Sequence, residues 1–312
     1  MRVIVVGSLS HDYIMNFSGR FADRIMPEKI HILSLSFFAR TLRKELGGTA
    51  LNQAYTLKLL GDDPFVITTA GSDWQDIRAF MKKHTMETAG IVRVSDEPSS
   101  SYHVITDEDD NQIGAFYAGA SKYNKNLKLK QRTTPSLVII GPTDPIAVQK
   151  LTRDCQALGY PYLYDPAFQI ASLPLDDLRG GIRNAKLFIG NDYEIALVEN
   201  RLGISHAELV GMASVLVTTL AGKGSIIETK KEAIHVKAAK PKGVVDPTGA
   251  GDAYRAGFVA GYLRGFDLQV CGQMGSVAAA YTVEKYGTTT HYFTKKEFIA
   301  RYKQNYVQSI KL

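Results

Sequence analysis

Asp246-Pro247-Thr248-Gly249-Ala250-Gly251-Asp252, followed directly by Ala253-Tyr254-Arg255-Ala256-Gly257-Phe258, is the stretch around which this 312-residue chain is organised. It reads as a small-residue turn feeding a helix. Without bulk in the turn, backbone N–H groups at the helix start face open space, where the positive end of the helix dipole can hold an anion such as a phosphate. An acid at Asp252, inside the first turn, would repel that anion. Two readings stay open: Asp252 caps the helix, or it takes a proton from a nucleophile attacking a phosphate held there, which requires hydrogen-bond reach of the reacting hydroxyl.

The whole heptad resembles the C-terminal signature of the ribokinase/PfkB family of small-molecule kinases. That resemblance makes Asp252 the general base. It assigns the amides of Gly249, Ala250 and Gly251 to an anion hole for the transferring phosphoryl group. It implies an α/β, ribokinase-like fold: a doubly wound, mostly parallel sheet flanked by helices, with a small β-sheet lid.

Three further segments fit in the family's order. Val3 to Val6 is an apolar run ending at Gly7-Ser8, the look of a strand buried on both faces, and Asp12 follows it. Ligands of open parallel sheets gather beyond the carboxyl ends of strands, so Asp12 is placed either to accept hydrogen bonds from a polyol or to serve as a turn acid. Gly47-Gly48-Thr49-Ala50-Leu51-Asn52 opens a helix through Gln53 to Leu60. Read alone it is a helix start; by resemblance Gly47 and Gly48 are the lid hinge, and Asn52 binds substrate hydroxyls. Asn191-Asp192-Tyr193-Glu194 ends another strand. An Asn N-cap with Glu at the third helical position is one reading; the family's Asn-x-x-Glu motif gives Asn191 and Glu194 to the phosphates, with Glu194 holding Mg²⁺ through water.

Val215 to Thr219 is a buried strand leading into Leu220-Ala221-Gly222-Lys223-Gly224. The family pattern, Thr-x-Gly-x-x-Gly, contacts the nucleotide. Thr219 and Gly224 fit it, but Ala221 stands where the first glycine is expected and Gly222 is displaced by one, which leaves the local backbone path open. Gly287 to Thr290 is assigned to the adenine side, and residues near Asp246 and Gly287 are candidates for carbonyl ligands of K⁺.

From Pro64 onward strands and helices alternate: Phe65–Thr69, Trp74–His84, Ser136–Ile140, Ile146–Leu158, Tyr162–Tyr164 before Asp165, and Leu187–Ile189. That rhythm argues for one domain over 1–312 with right-handed crossovers. Ile30 to Phe37, Ser100 to Thr106 and Gln112 to Tyr117 read as strands outside this rhythm, the last two joined by Asp107-Glu108-Asp109-Asp110-Asn111. They make a lid from about 12–46 and 98–118, whose closure would exclude water from the reaction.

Composition, at 45% hydrophobic and 22% charged, is that of a globular protein rather than a disordered one. The net charge of +6 is scattered. Its densest run, Lys122 to Arg132, has little aromatic interleaving and no groove-reading motif, so it reads as a solvated loop and not as a nucleic-acid surface. Cys155 and Cys271 stand far apart, which excludes a disulfide framework, and no stretch approaches a membrane span. A cytoplasmic protein is expected, as a monomer or a lid-mediated homodimer.

The N-terminal text, Gly7-Ser8 with His11-Asp12-Tyr13-Ile14-Met15, together with Asn111-Gln112-Ile113 and Ala115-Phe116-Tyr117, looks most like the adenosine/inosine branch of bacterial nucleoside kinases. That implies ATP-dependent phosphorylation of the 5′-hydroxymethyl group of a purine nucleoside. A base needs aromatic surface that a free sugar does not, and Phe37, Phe38, Phe116 and Tyr117 are candidates, Phe116 foremost. A sugar kinase and a non-catalytic nucleoside- or sugar-binding module remain the alternatives.

Overall fold

The computed structural model describes residues 1–109, 111–129, 134–307 and 309–312. Asp110 of the expected hairpin loop, and Lys130 and Arg132 of the basic run, lie outside the described residues. In chain order the elements are β1 (Arg2–Val6), β2 (Ser10–Phe17), β3 (Ala39–Gly47), α1 (Thr49–Leu59), β4 (Asp63–Ala70), α2 (Gln75–Lys83), β5 (Ile91–Arg93), β6 (Ser100–Thr106) and β7 (Gln112–Tyr117). They continue with β8 (Leu137–Ile140), α3 (Pro145–Leu158), β9 (Tyr162–Tyr164), α4 (Leu175–Arg183), β10 (Leu187–Asn191), α5 (Asp192–Leu202), α6 (His206–Val210) and β11 (Val215–Thr219). The last are β12 (Ser225–Glu228), β13 (Ala233–Val236), α7 (Ala250–Leu263), α8 (Leu268–Val283) and α9 (Lys295–Tyr306).

Among these residues β1 explains the architecture. Its four apolar residues cannot alternate with polar ones because both faces of the sheet are covered. Val3 and Val5 join one core with α1, α7, α8 and α9, while Ile4 and Val6 join a second with α3, α4 and α5. Full burial of each such side chain contributes roughly 1.5–3 kcal/mol before entropy is charged against it. The large sheet has the order β13-β12-β11-β10-β9-β8-β1-β4-β5, parallel except for the antiparallel edge pairs β11–β12 and β12–β13. The chain runs from β1 to β4 on one side and later from β1's other neighbour, β8, outward. This makes the carboxyl end of β1 the topological switch point, where open α/β sheets place their ligands.

The second sheet, β3-β2-β6-β7, rises from that end. Its register sets Glu45, Asp12, Tyr102 and Phe116 side by side, one from each strand, and residues paired across neighbouring strands share a face. A single row across the lid thus carries a carboxylate in the middle and an aromatic ring at the edge.

The expectation of a strand at Ile30–Phe37 is corrected. Pro27–Ile32 forms helical turns with Pro27 at the start, and the third lid strand begins only at Ala39. The alternation of Ile30, Ile32 and Leu33 has no sheet face to bury against: all three are exposed, Ile30 at 64%. Pro27, which fixes φ at the first helical position, decides the local backbone instead. Phe37 turns inward onto Phe17 and Phe21, with ring centroids 5.0 and 5.1 Å apart, Phe38 is exposed, and exposed Tyr117 donates to Glu97. Of the four aromatic candidates only Phe116 reaches the cavity described next.

Candidate active site

Between the lid row and the mouth of α7 lies a cavity of about 420 Å³. Ser10, Asp12, Asn52, Tyr102, Phe116, Phe168, Thr248, Gly249, Asp252 and Thr288 are among the residues that line it, a volume within the range of small-ligand sites. A wider basic cleft beside α4, lined by Arg179, Arg183, Lys230 and Lys231, contains none of the motif residues.

α7 begins where Gly249 takes a left-handed conformation, φ +79° and ψ −2°, as its N-cap. A side chain at Gly249 would also come within 2.8 Å of Thr288, so glycine is required on both counts. The amide of Ala250 donates to the Pro247 carbonyl at 3.2 Å. Those of Gly249, Gly251 and Asp252 have no protein acceptor among the described residues. The free donors at this helix mouth are therefore Gly249, Gly251 and Asp252, while the Ala250 amide closes the turn.

Asp252 is almost fully buried, yet its carboxylate opens on the cavity. Asn52 Nδ2 donates to Oδ2 at 2.8 Å and Gln53 Nε2 to Oδ1 at 3.0 Å. The capping alternative does not hold, since no side-chain cap bond forms at the start of α7. Burial raises the Asp252 pKa, Arg255 and the two amide donors pull it back, and Glu194 adds to the rise. A carboxylate moved in this direction accepts a proton more readily at neutral pH.

Asp12 occupies the centre of the lid row. Its Oδ1 accepts from Ser10 Oγ at 2.7 Å, and burial pushes its pKa up to about 7 against that bond, with Asp252, Asp246 and Glu45 adding to the rise. Gly47 exists for this carboxylate: a Cβ there would fall 1.9 Å from Asp12 Oδ2. Gly48, at φ +96° with the Ser8 carbonyl 2.4 Å from where a Cβ would stand, makes the turn from β3 into α1 that puts Asn52 and Gln53 beneath the lid. Three residues that line this space carry a buried oxygen without a hydrogen-bond partner among the described residues: Thr49 Oγ1, Asn52 Oδ1 and Thr248 Oγ1. Buried polar atoms in native proteins find partners, so three without one on residues of a single cavity call for an explanation.

Phe168 closes the cavity from the body, 5.6 Å between centroids from Phe116 on the lid, with the rings tilted by 46°. It is 58% exposed and lines the cavity.

Asn191 and Glu194 form the capping box at the start of α5: Asn191 Oδ1 accepts from the Glu194 amide at 2.8 Å, and Glu194 Oε2 accepts from the Asn191 amide at 2.9 Å. The capping reading of the bare sequence is thus observed. It uses one oxygen of Glu194, and Oε1 has no hydrogen-bond partner among the described residues. Thr219 Oγ1 lies 3.4 Å from the Gly190 carbonyl at the neighbouring strand end. Ala221 adopts φ +49°, in the left-handed region that glycine takes without cost. Gly222 has open space where a side chain would go, while Gly224, at φ +97°, would drive a Cβ to 1.9 Å from the Val236 carbonyl.

Five residues of this neighbourhood are not singled out by the sequence reading: Gln53, Tyr102, Asp165, Phe168 and Arg255. Asp165 and Phe168 follow the end of β9 on the same edge of the sheet as Gly7 and Asn191, a positional signal that a strand-end reading could have used.

The comparisons agree with this geometry. The family model for pfkB family carbohydrate kinase matches residues 13–295. A nucleoside kinase of Methanothermobacter thermautotrophicus is 30% identical over 305 residues, 96% of this chain and 95% of that protein. The structure of a Burkholderia thailandensis nucleoside kinase in complex with inosine superposes with a TM-score of 0.92 at 30% identity, covering 99% of this chain and 100% of that one. The same protein with ADP and inosine gives 0.92 at 31% identity, over 99% and 97%. The fold is therefore ribokinase-like, and the chain belongs to the pfkB family of carbohydrate kinases, phosphotransferases with an alcohol group as acceptor.

Proposed function

We propose that the chain transfers a phosphoryl group from ATP to the 5′-hydroxymethyl group of a purine nucleoside. The observation that carries this reading is the pairing, in one cavity, of a hydroxyl-binding end with an aromatic end: Asp12 and Asn52 on one side, Phe116 and Phe168 on the other. A free sugar needs only the first. The likeness to a nucleoside kinase solved with inosine, and with ADP and inosine, supports the same conclusion.

In this reading Asp12 and Asn52 Oδ1 receive ribose hydroxyls, and the base lies against Phe116 and Phe168. The acceptor hydroxyl then faces Asp252, whose two amide donors fix the carboxylate without neutralising it. Asp252 takes the hydroxyl proton as the phosphoryl group arrives, and the free amides of Gly249 and Gly251 stabilise the charge on its oxygens. The lid row, brought down by the Gly47–Gly48 turn, excludes water from the reacting atoms.

Magnesium fits one place in this site. Among the described residues no three acidic, histidine or cysteine side chains gather as a cage, but Glu194 Oε1 is free at the strand end beside Thr219. One carboxylate acting through water, shared with nucleotide phosphates, is how that ion is commonly held. When bound it supplies charge neutralisation at the phosphates. The Asp246 carboxylate ties together the two segments whose main-chain carbonyls are the candidate K⁺ ligands, accepting from the Thr248 amide with one oxygen and from the Gly287 amide with the other.

Side-by-side ADP-release assays with inosine, adenosine, ribose and fructose 6-phosphate test the proposal. Turnover of a nucleoside at far lower concentration than any sugar is expected; preference for ribose or fructose 6-phosphate would assign the cavity to a sugar. Nucleoside binding without ADP release would make the chain a binding module.

A further inference from the structure

Arg255 stands three positions after Asp252 on the same face of α7 and is 8% exposed, a rare placement for a guanidinium. Its Nη2 lies 2.8 Å from Asp165 Oδ1, donates to the Ile189 carbonyl at 3.1 Å and stands 3.6 Å from Glu194 Oε2. Gln53 Nε2 bridges the other side, 3.3 Å from Asp165 Oδ2 and 3.0 Å from Asp252 Oδ1. An unbroken set of contacts therefore runs from Asp252 through Gln53, Asp165 and Arg255 to Glu194. It joins α1, the end of β9, α7 and α5.

Neutralising buried Asp165 would account for Arg255 if the guanidinium stopped there. It does not. It also flanks Glu194 Oε2, the oxygen already held by the Asn191 amide, which fixes the carboxylate's rotation and leaves Oε1 turned elsewhere. It also lies close over the start of α7, its Nη1 2.8 Å from where a Cβ on Gly251 would stand. Arg255 is the foremost influence lowering the pKa of both Asp165 and Asp252 against the rise from burial.

We propose that Arg255 is a positioning residue for phosphoryl transfer. It fixes Glu194 on the phosphate side and, through Asp165 and Gln53, Asp252 on the acceptor side, so that the two halves of the reaction are held in one geometry. The proposal rests on the reading of Asp252 as base and Glu194 as the acid on the phosphate side. Displacements of about 1 Å in such arrangements lower rates by about a hundredfold, which sets the size of the expected effect.

The test uses Arg255→Lys, Arg255→Met and the pair Arg255→Met with Asp165→Asn, measured for thermal stability, for kcat and KM with inosine, and by calorimetry of ADP binding with and without Mg²⁺. Arg255→Met leaves Asp165 buried beside no cation and is expected to be unstable; the pair removes both charges and restores the melting temperature. Positioning predicts that the pair still shows kcat lowered about a hundredfold, KM for inosine within about threefold of the parent, and a diminished gain in ADP affinity from Mg²⁺. Arg255→Lys, which keeps the charge without the planar fork, is expected between the pair and the parent. Recovery of kcat together with stability in the pair would overturn the proposal, as would a loss confined to the inosine KM. Asp252→Asn run in parallel separates the two readings: near-parental turnover there refutes the base assignment itself.

Discussion

Replacing Asp252 by asparagine tests the chemistry at its centre. The substitution keeps the shape of the side chain and removes its basicity, but it also exchanges an acceptor for a donor where two donors already point. Asn52 Nδ2 and Gln53 Nε2 approach the two carboxylate oxygens at 2.8 and 3.0 Å. One of them will face the new amide nitrogen. Asn52 can relieve this by rotating its amide, because its Oδ1 is buried without a partner and would then accept the new donor.

The price in stability is therefore small, at most about 1 kcal/mol, the net worth of one neutral hydrogen bond. The rotation presents the Asn52 nitrogen to the cavity in place of the oxygen. The inosine KM should then rise by no more than roughly tenfold, again one hydrogen bond. Loss of the general base lowers kcat by about 10²–10⁴. Coupled ADP-release kinetics, with a thermal melt on the same sample, resolves the three quantities. A variant that melts like the parent and turns over within tenfold of it would refute the reasoning.

Three other outcomes follow from the same geometry. Phe168→Ala removes the body half of the aromatic pair; base stacking on an aromatic side chain is worth about 1–3 kcal/mol, so the inosine KM should rise about 5- to 150-fold while any activity on ribose holds steady. Equal loss on both substrates would show that Phe168 supports the fold and not the base. Ala221→Gly relieves a left-handed alanine at φ +49° and should raise stability by up to about 1 kcal/mol, set against the added freedom of the unfolded chain; a lower melting temperature would deny the strain. Asp12, raised to about 7 by burial, keeps its proton in the native chain after the unfolded one has released it near 3.9. Its stabilising contribution is whole below pH 3.9 and is lost as pH rises to about 7. His291, held to about 4 by burial, acts in the opposite sense, so the contrast is made between parent and Asp12→Asn: the ligand-free melting temperature of the parent should fall relative to the variant from pH 5 to 7.5. Parallel profiles would deny the shift.

What the sequence announced and what it withheld divide along physical lines. β1, β4, β8 and β11 were legible because strands buried on both faces carry unbroken apolar runs. The turn into α7 was legible because only small residues permit it. The lid was half legible. β6 and β7 alternate as strands on a solvated sheet do, but Ile30–Phe37 alternates without burying a face and the strand lies at Ala39–Gly47, whose Arg40-Thr41-Leu42-Arg43-Lys44 run is exposed along its length. In the site, the sequence reading named Asn52 and passed over Gln53. Adjacent residues on a helix point about 100° apart, and only the arrival of α7 from two hundred positions away lets both amides meet one carboxylate. Phe168 was missed for a related reason: its partner Phe116 belongs to the other sheet, so no local pattern records the pair.

If Asp252 is the base, as proposed, the manner in which it is held follows from a conflict built into its position. A base beside an anion site must stay charged enough to take a proton, yet a cation paired with it would stabilise the carboxylate and weaken it as a base. Among the described residues no ion pair reaches Asp252 within 4 Å. Two side-chain amides hold it instead, and amides orient an oxygen while compensating only part of its charge. The guanidinium that the buried acids require is placed one helical turn on, against Asp165, and Gln53 stands as a neutral spacer between Asp165 and Asp252. Moving that cation one link closer would lower the Asp252 pKa at the expense of its basicity; removing it would strand Asp165. In the proposed reading, the separation of the holding groups from the compensating one lets a buried carboxylate stand next to a bound phosphate and still act as a base.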